Sequence, residues 1–189
     1  MKVGVGVSNR HVHLTREVYD LLFDEEISKF RDLDQPFQYA ANQKVTLKNG
    51  DRVIEGVRLV GPLRDYNQVE LSRTDCYRMK LNPPVRDSGF LDESEKITII
   101  GPKGSVHIDM GVIIANRHIH IRPCELEKYG LQEGELVCVR VLGEKAGILE
   151  NVHLKVQDTA ALRLHLDTDD ANAFGLKNDD VVEVLKMKQ

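Results

Sequence analysis

The chain has 189 residues, 41% of them hydrophobic and 30% charged, and its formal net charge is −4. This length suits one large or two small domains, and the negative charge gives no electrostatic reason to expect nucleic acid or an anionic membrane as a partner. No apolar run approaches the roughly 20 residues that a membrane span needs, and the N-terminal residues lack the pattern of a signal peptide. The three widely spaced cysteines, Cys76, Cys124 and Cys138, suit free thiols in a reducing cytoplasm, which is the location we expect.

The first part of the chain shows mainly strand signals. Alternating apolar residues predict a strand over residues 1–14, followed by a helix that Thr15 caps and that runs to about Phe23. The charged stretch 24–34 is expected to form a loop or an irregular helix. From Gln43 onward the pattern is that of strands, with an Asn-Gly hairpin signal at residues 49–50.

The rest of the chain continues with short strands and small helices. Helical segments are expected at 74–79, at 122–129 with a closing glycine, and at 171–174 after the capping residues 167–170. The strands expected here are residues 97–100, 135–141, 148–156, 162–166 and 180–185. Many short strands separated by glycine and proline turns favour a mainly β class, either a barrel or a sandwich.

A hexapeptide occurs twice, as Asn9-Arg10-His11-Val12-His13-Leu14 and as Asn116-Arg117-His118-Ile119-His120-Ile121. The apolar and β-branched residues around the histidines predict strands, on which residues i and i+2 point to the same face. Each His-x-His therefore presents two imidazoles side by side, a spacing that suits one metal ion. The alternative is a repeated strand with surface histidines.

The resemblance between the halves extends beyond the hexapeptides. Aligning residues 57–59 with 152–154 places Glu70 opposite His165, without gaps. The duplication then yields two matching ligand sets, which are His11, His13 and Glu70 in one half and His118, His120 and His165 in the other. Each set has three ligands and leaves positions open for water or substrate, as catalytic zinc sites do. Glu70 could instead be a solvated strand carboxylate.

The two halves also differ. Arg64 aligns with Thr159, so the first half alone supplies a fixed cation at that place, where a guanidinium suits recognition of phosphate or carboxylate. The alternative is an ordinary surface arginine. His107 and His153 have no matching ligand partner and are expected to be surface or packing residues.

Three segments carry a resemblance to a known family: Ser8 to His13, Gly61 to Arg64 together with Gln68 to Glu70, and Asn116 to His120. Together they resemble the phosphate propanoyltransferase family, the zinc phosphotransacylases associated with bacterial microcompartments and propanediol degradation. The resemblance implies two β-barrel domains, capped by short helices, with a dinuclear zinc site between them. It implies the reaction acyl-CoA + phosphate ⇌ acyl phosphate + CoA, with propanoyl-CoA or acetyl-CoA as substrate. We expect the duplicated halves to be residues 1–105 and 106–189, and an exchange of strands between the halves is compatible with this division.

Site residues carry over from that resemblance position by position. His11, His13 and Glu70 match the ligands of a zinc ion that also meets the CoA sulfur, and His118, His120 and His165 match the ligands of a second zinc ion. Arg64 matches the family's phosphate arginine. The positions that match CoA contacts are Val7, Ser8, Asn9, Arg58 and Asn172.

Alternatives and context remain open at this point. A dinuclear zinc hydrolase would use the same ligands, and a zinc-stabilised binding module without catalysis is a third reading. A homo-oligomer is possible. Family members packaged into microcompartments carry an N-terminal amphipathic helix, whereas this sequence begins almost at its first strand and shows no such segment. Packaging is therefore not supported by the sequence: either the segment has been removed or this member is a free cytosolic form.

Overall fold

A computed structural model describes residues 1–186 and shows two compact units. The unit that we call the His11 barrel comprises Asn9–Leu33 and Phe37–Ala115, and the His118 barrel comprises Met1–Ser8, Asp34–Pro36 and residues 116–186. The chain is thus divided near residue 115, and its first eight residues belong to the unit that the C-terminal part of the chain forms. The duplicated halves 1–105 and 106–189 stay a prediction.

Strands are the main regular structure of both units. In chain order they are β1 (Lys2–Ser8), β2 (His11–His13), β3 (Lys29–Asp32), β4 (Tyr39–Asn49), β5 (Arg52–Gly61), β6 (Gln68–Glu70), β7 (Val85–Arg86), β8 (Glu95–Ile100), β9 (Ser105–Ala115), β10 (His118–Ile121), β11 (Leu136–Val141), β12 (Gly147–Val156), β13 (Arg163–Asp167) and β14 (Val181–Lys186). The helices are α1 (Arg16–Leu22), α2 (Arg73–Met79), α3 (Pro123–Tyr129) and α4 (Thr168–Ala173). Within the described residues no helix has the length and apolarity needed to cross a membrane.

The His11 barrel closes through six strands in the order β4-β5-β2-β6-β9-β8, with β8 returning to β4. Strand β3 adds to β4 and β7 adds to β9, outside this ring. Parallel pairing occurs within the ring at β2–β5 and at β6–β9, and the other four pairs are antiparallel.

The His118 barrel closes in the same way, in the order β11-β12-β10-β13-β1-β14. Its parallel pairs, β10–β12 and β1–β13, occupy the corresponding positions, and the other pairs are antiparallel. The predicted class, a mainly β protein with two β-barrel domains and short helices, is confirmed, and the identical pairing pattern agrees with an internal duplication.

Two local predictions were wrong. Residues 1–14 form two strands, because β1 pairs in the His118 barrel whereas β2 pairs in the His11 barrel. A continuous apolar pattern does not reveal which sheet a strand joins. The charged stretch 24–34 contains β3, an exposed edge strand held by backbone pairing to β4 rather than by burial of side chains.

Each barrel has its own apolar core, and the His-x-His strands are oriented by it. The middle residue of each motif, Val12 or Ile119, is fully buried in the core cluster of its barrel. Since side chains alternate along a strand, the two histidines of each motif face the opposite side. Core burial of one residue therefore fixes the direction of both imidazoles.

Candidate metal centres and their neighbours

The first candidate centre lies on β2 and β6 of the His11 barrel. His11 pairs directly with Glu70 in antiparallel register, so the carboxylate stands beside the imidazole. Nε2 of His11 lies 3.5 Å from Oε2 of Glu70, and Nε2 of His13 lies 3.9 Å from Oε1. One ligand atom of each of these three residues lies within 4.8 Å of the others. Three predicted ligands therefore come together on one patch.

Hydrogen bonds define the tautomers of both histidines. Nδ1 of His11 lies 2.9 Å from the carbonyl oxygen of Asn9, and Nδ1 of His13 lies 3.1 Å from that of Val60. Because a carbonyl oxygen accepts and does not donate, each Nδ1 carries the proton, and in the neutral imidazole Nε2 carries the lone pair. Two lone pairs and a carboxylate thus converge, an arrangement that a cation would stabilise.

The second candidate centre lies on β10 and β13 of the His118 barrel. His118 pairs with His165 in the same antiparallel register that joins His11 to Glu70. Nε2 of His118 and Nε2 of His120 are 3.1 Å apart, and the three rings stack edge to face or tilted, with centroids 4.7–5.3 Å apart. Two nitrogens on one tetrahedral zinc ion, each about 2.0–2.1 Å from it, would lie roughly 3.4 Å apart. The spacing suits two ligands of one ion.

The tautomers in this centre follow the same rule. Nδ1 of His118 lies 2.7 Å from the carbonyl oxygen of Asn116, and Nδ1 of His120 lies 3.0 Å from Oε1 of Gln157. Both Nε2 atoms therefore carry lone pairs when the rings are neutral. Gly6 of β1 pairs with His165, and a Cβ at Gly6 would come within 3.0 Å of that ring, so the glycine leaves room for the imidazole.

Burial and charge shift the pKa values of these rings. Burial lowers the pKa of His120 to about 3, with the neighbouring charges of His118 and Lys155 acting in the same direction. Burial, together with His11 and Arg64, holds the pKa of His13 well below its usual range. Burial also acts to lower the pKa of His11, but the Glu70 carboxylate and the hydrogen bond to the Asn9 carbonyl together outweigh it, so the net direction of the pKa shift is upward.

Arg64 is linked to the first centre through Ser88 and Gln68, and its charge acts to lower the pKa values of His11 and His13. Its backbone N–H donates to the carbonyl of Leu14, directly after the His-x-His strand. Nη1 donates to the hydroxyl of Tyr66 at 2.7 Å and to Oγ of Ser88 at 3.1 Å. Two hydrogen bonds from Nη1 therefore hold the guanidinium in place.

Gln68 connects this arginine to the Glu70 carboxylate. Its side chain is fully buried, and Nε2 donates to Oε1 of Glu70 at 2.6 Å and to Oγ of Ser88 at 2.8 Å. Oε1 of Gln68 accepts from the backbone of Gly89 at 2.8 Å. Ser88 thus accepts from both Arg64 and Gln68, and a single network orients the guanidinium and the carboxylate.

The predicted CoA contacts fall into both units. Val7 and Ser8 end β1, and the N–H of Val7 donates to Asn178 at 2.7 Å. Asn172 is on α4, and Asn9 provides the carbonyl that orients His11. Arg58 is opposite His11 on β5, and its guanidinium lies 4.5 Å from the centroid of the Phe30 ring. Contact of these residues with CoA stays a prediction.

The sequence reasoning missed the residues that support the ligands. No sequence motif marks these residues, because each is in a different loop and reaches the centre only through folding. They are Ser88, Tyr66 and Gln157. The structure also pairs Arg10 with Asp75 and Arg117 with Asp170. The sequence could have predicted these pairs, because an arginine occurs at the same place in both hexapeptides and Asp75 aligns with Asp170 in the repeat.

Two six-stranded barrels with matching clusters of three imidazole or carboxylate ligands define a duplicated protein with two candidate metal centres. Comparison with known proteins gives the family. The family model described as phosphate propanoyltransferase matches residues 4–177.

Curated relatives agree with that match. The phosphate propanoyltransferase of Rhodopseudomonas palustris is 46% identical over 98% of this chain and 83% of its own length. That of Thermotoga maritima is 46% identical over 96% of this chain and 88% of its own, and that of Citrobacter freundii is 40% identical over 97% and 88%. The chain belongs to the phosphate propanoyltransferase family. It is therefore an acyltransferase enzyme, and the family implies CoA as a substrate.

Proposed function

We propose that this enzyme catalyses acyl-CoA + phosphate ⇌ acyl phosphate + CoA, with propanoyl-CoA or acetyl-CoA, and that each cluster holds one zinc ion. The observation that carries the proposal is the convergence of Nε2 lone pairs in both clusters of a family member, with a fixed guanidinium beside one cluster. The donor sets, two histidines with a glutamate and three histidines, are those of catalytic zinc sites.

Zinc, when bound, would supply Lewis-acid stabilisation of developing negative charge and would lower the pKa of a coordinating thiol. Protein side chains would bind and orient the substrates. Arg64, held by Tyr66 and Ser88, would bind phosphate through charge-assisted hydrogen bonds. Because the guanidinium is already oriented, little rotamer freedom is lost when phosphate arrives.

The transfer itself is proposed to be direct. A phosphate oxygen attacks the thioester carbonyl carbon, the new C–O bond forms, and the C–S bond breaks with its electron pair leaving on the CoA sulfur. In the reverse direction the sulfur attacks the carbonyl carbon of the acyl phosphate and phosphate leaves. No covalent intermediate on the protein is needed.

Replacing Cys76, Cys124 and Cys138 together by alanine should leave turnover within a few-fold of the parent enzyme. Cys76 is fully enclosed in the core of the His11 barrel and Cys138 is buried, so neither thiol is open to substrate. Cys124 is exposed on α3 and belongs to neither cluster. Turnover would be measured on protein of verified fold and zinc content. Loss of turnover with both intact would contradict direct transfer.

The CoA-binding residues remain part of the proposal. We place Val7, Ser8, Asn9, Arg58 and Asn172 along the CoA path. Arg58 has the strongest support, because its guanidinium is fixed by the Ala41 carbonyl and lies one strand away from His11.

The direct test of the reaction is a paired-substrate assay. Purified enzyme loaded with zinc should form acyl phosphate, trapped with hydroxylamine, when acyl-CoA and phosphate are both present, and release CoA in equal amount. Omission of phosphate should abolish CoA release. CoA release at an undiminished rate without phosphate would instead identify a zinc hydrolase and overturn the proposal.

A further inference from the structure

Both barrels contain an ion pair that links the arginine of the hexapeptide to the helix after the third ligand. Nη1 of Arg10 lies 3.0 Å from Oδ1 of Asp75 and 3.2 Å from Oδ2, and Nη2 of Arg117 lies 3.0 Å from Oδ1 of Asp170. Asp75 is on α2, which follows Glu70, and Asp170 is on α4, which follows His165. The same pair therefore occurs at the same place in both halves.

Each aspartate is itself held rigidly. Its backbone N–H donates to the residue that caps its helix, from Asp75 to Oγ of Ser72 at 3.2 Å and from Asp170 to Oδ1 of Asp167 at 2.8 Å. The side chain of Asp75 is 5% exposed and that of Asp170 is 26% exposed. A partly buried carboxylate bound to a guanidinium is more firmly placed than an exposed surface pair.

Each arginine shares a peptide group with the carbonyl that orients a ligand. The peptide bond between Asn9 and Arg10 presents its C=O to Nδ1 of His11 at 2.9 Å and its N–H to Oδ1 of Asn9 at 2.8 Å. In the other half the C=O between Asn116 and Arg117 meets Nδ1 of His118 at 2.7 Å. Since this hydrogen bond directs Nε2, movement of the peptide would rotate the imidazole away from its cluster.

We propose that the Arg10–Asp75 and Arg117–Asp170 pairs are positioning devices for the two metal clusters. Each pair fixes the peptide that orients the first histidine of its cluster and joins it to the helix that follows the third ligand. This inference rests on the proposed zinc binding, and each pair acts on the cluster in its own barrel.

The test compares zinc affinity among four full-length variants, by competition with a chromophoric chelator. Arg10→Gln and Arg117→Gln should each lower the zinc affinity of one of the two sites about 10- to 100-fold, the usual cost of removing an outer-shell partner. Arg16→Gln and Arg140→Gln are matched controls, because each breaks an exposed ion pair in the corresponding barrel, and both should keep two sites of parental affinity.

Combining the variants with a ligand substitution assigns the affected site. Arg10→Gln joined to His120→Ala should weaken both sites, whereas Arg117→Gln joined to His120→Ala should leave the other site at parental affinity. Arg10→Lys, which keeps the charge near Asp75, should recover part of the lost affinity. Cobalt in place of zinc should give an altered d–d spectrum in Arg10→Gln, which a loss of stability alone would not produce.

The outcomes separate this inference from the proposed function. If the parent protein binds no zinc, the proposed metal centres are disproved and this inference fails with them. A parent that binds two zinc ions, together with Arg10→Gln and Arg117→Gln variants of unchanged affinity, overturns the positioning role alone. If Arg10→Gln does not fold, Asp75→Asn serves in its place with the same expected weakening.

Discussion

His120→Ala is expected to lower turnover by at least about 100-fold, because it removes a proposed ligand and losing even an outer-shell partner costs 10- to 100-fold. The His120 side chain is buried, and its Nε2 lies 3.1 Å from that of His118. Its pKa of about 3 keeps the ring neutral, and so able to coordinate, throughout the range of a normal assay. The measurement is turnover in the paired-substrate assay, together with bound zinc per chain.

Thermal unfolding separates a metal effect from a folding effect. A zinc ion at 100 times its dissociation constant stabilises the folded protein by about 2.7 kcal/mol per site. The parent should therefore gain stability on zinc addition, and His120→Ala should gain only the part due to the other cluster. The metal-free variant should be less stable than the metal-free parent, because truncating a buried ring leaves a cavity and removes the hydrogen-bond partner of Gln157. The quantity to compare is therefore the gain in stability on zinc addition, measured separately for each protein.

His107→Ala is the matched control for that variant. This histidine is exposed on β9, its Nδ1 lies 3.0 Å from Oγ1 of Thr98, and it precedes Ile113, the β9 residue that pairs with Glu70, by six residues. It should retain turnover and both zinc ions. Parental zinc content and turnover in His120→Ala would show that the second cluster is not a metal centre.

The repeat explains how much of the architecture was predictable. Strict alternation at residues 162–166 predicted β13, and the capping residues 167–170 predicted a helix, because both signals are local. That helix, α4, begins at Thr168, three residues earlier than expected, with Asp167 as its N-cap. The alignment of Glu70 with His165 also agrees with the structure, in which each pairs with the first histidine of its motif. Because the halves are duplicated, aligning them predicts which distant residue belongs with each His-x-His motif. That prediction needs only the sequence.

What was not predictable depends on contacts between segments far apart in the chain. That β1 belongs with β13 and β14, and not with β2, is decided by pairing partners more than 150 residues away. Ser88 meets Arg64 and Gln68 through a loop without a sequence pattern. Local periodicity carries no information about either event, because hydrogen-bond partners across a barrel are chosen by the whole fold.

Arg64→Ala is expected to raise the KM for phosphate by roughly 10- to 100-fold and to change the KM for acyl-CoA little. A charge-assisted hydrogen bond contributes about 1.5–3 kcal/mol, and each 1.4 kcal/mol is a factor of ten in affinity. Arg64→Lys keeps the positive charge but loses the fork that binds two oxygens, so its phosphate KM should fall between those of the parent and the alanine variant. Initial rates over a matrix of both substrate concentrations give the two constants.

The position of the guanidinium can be checked without turnover. The positive charge of Arg64 lowers the pKa values of His11 and His13, so both values should rise in metal-free Arg64→Ala and stay nearly unchanged in Arg64→Lys. NMR titration of the histidine resonances measures this directly, with Arg73→Ala on α2 as the control arginine. Raised histidine pKa values with an unchanged phosphate KM would place Arg64 beside the cluster but remove its role in binding phosphate, and phosphate recognition would then have to come from the clusters themselves.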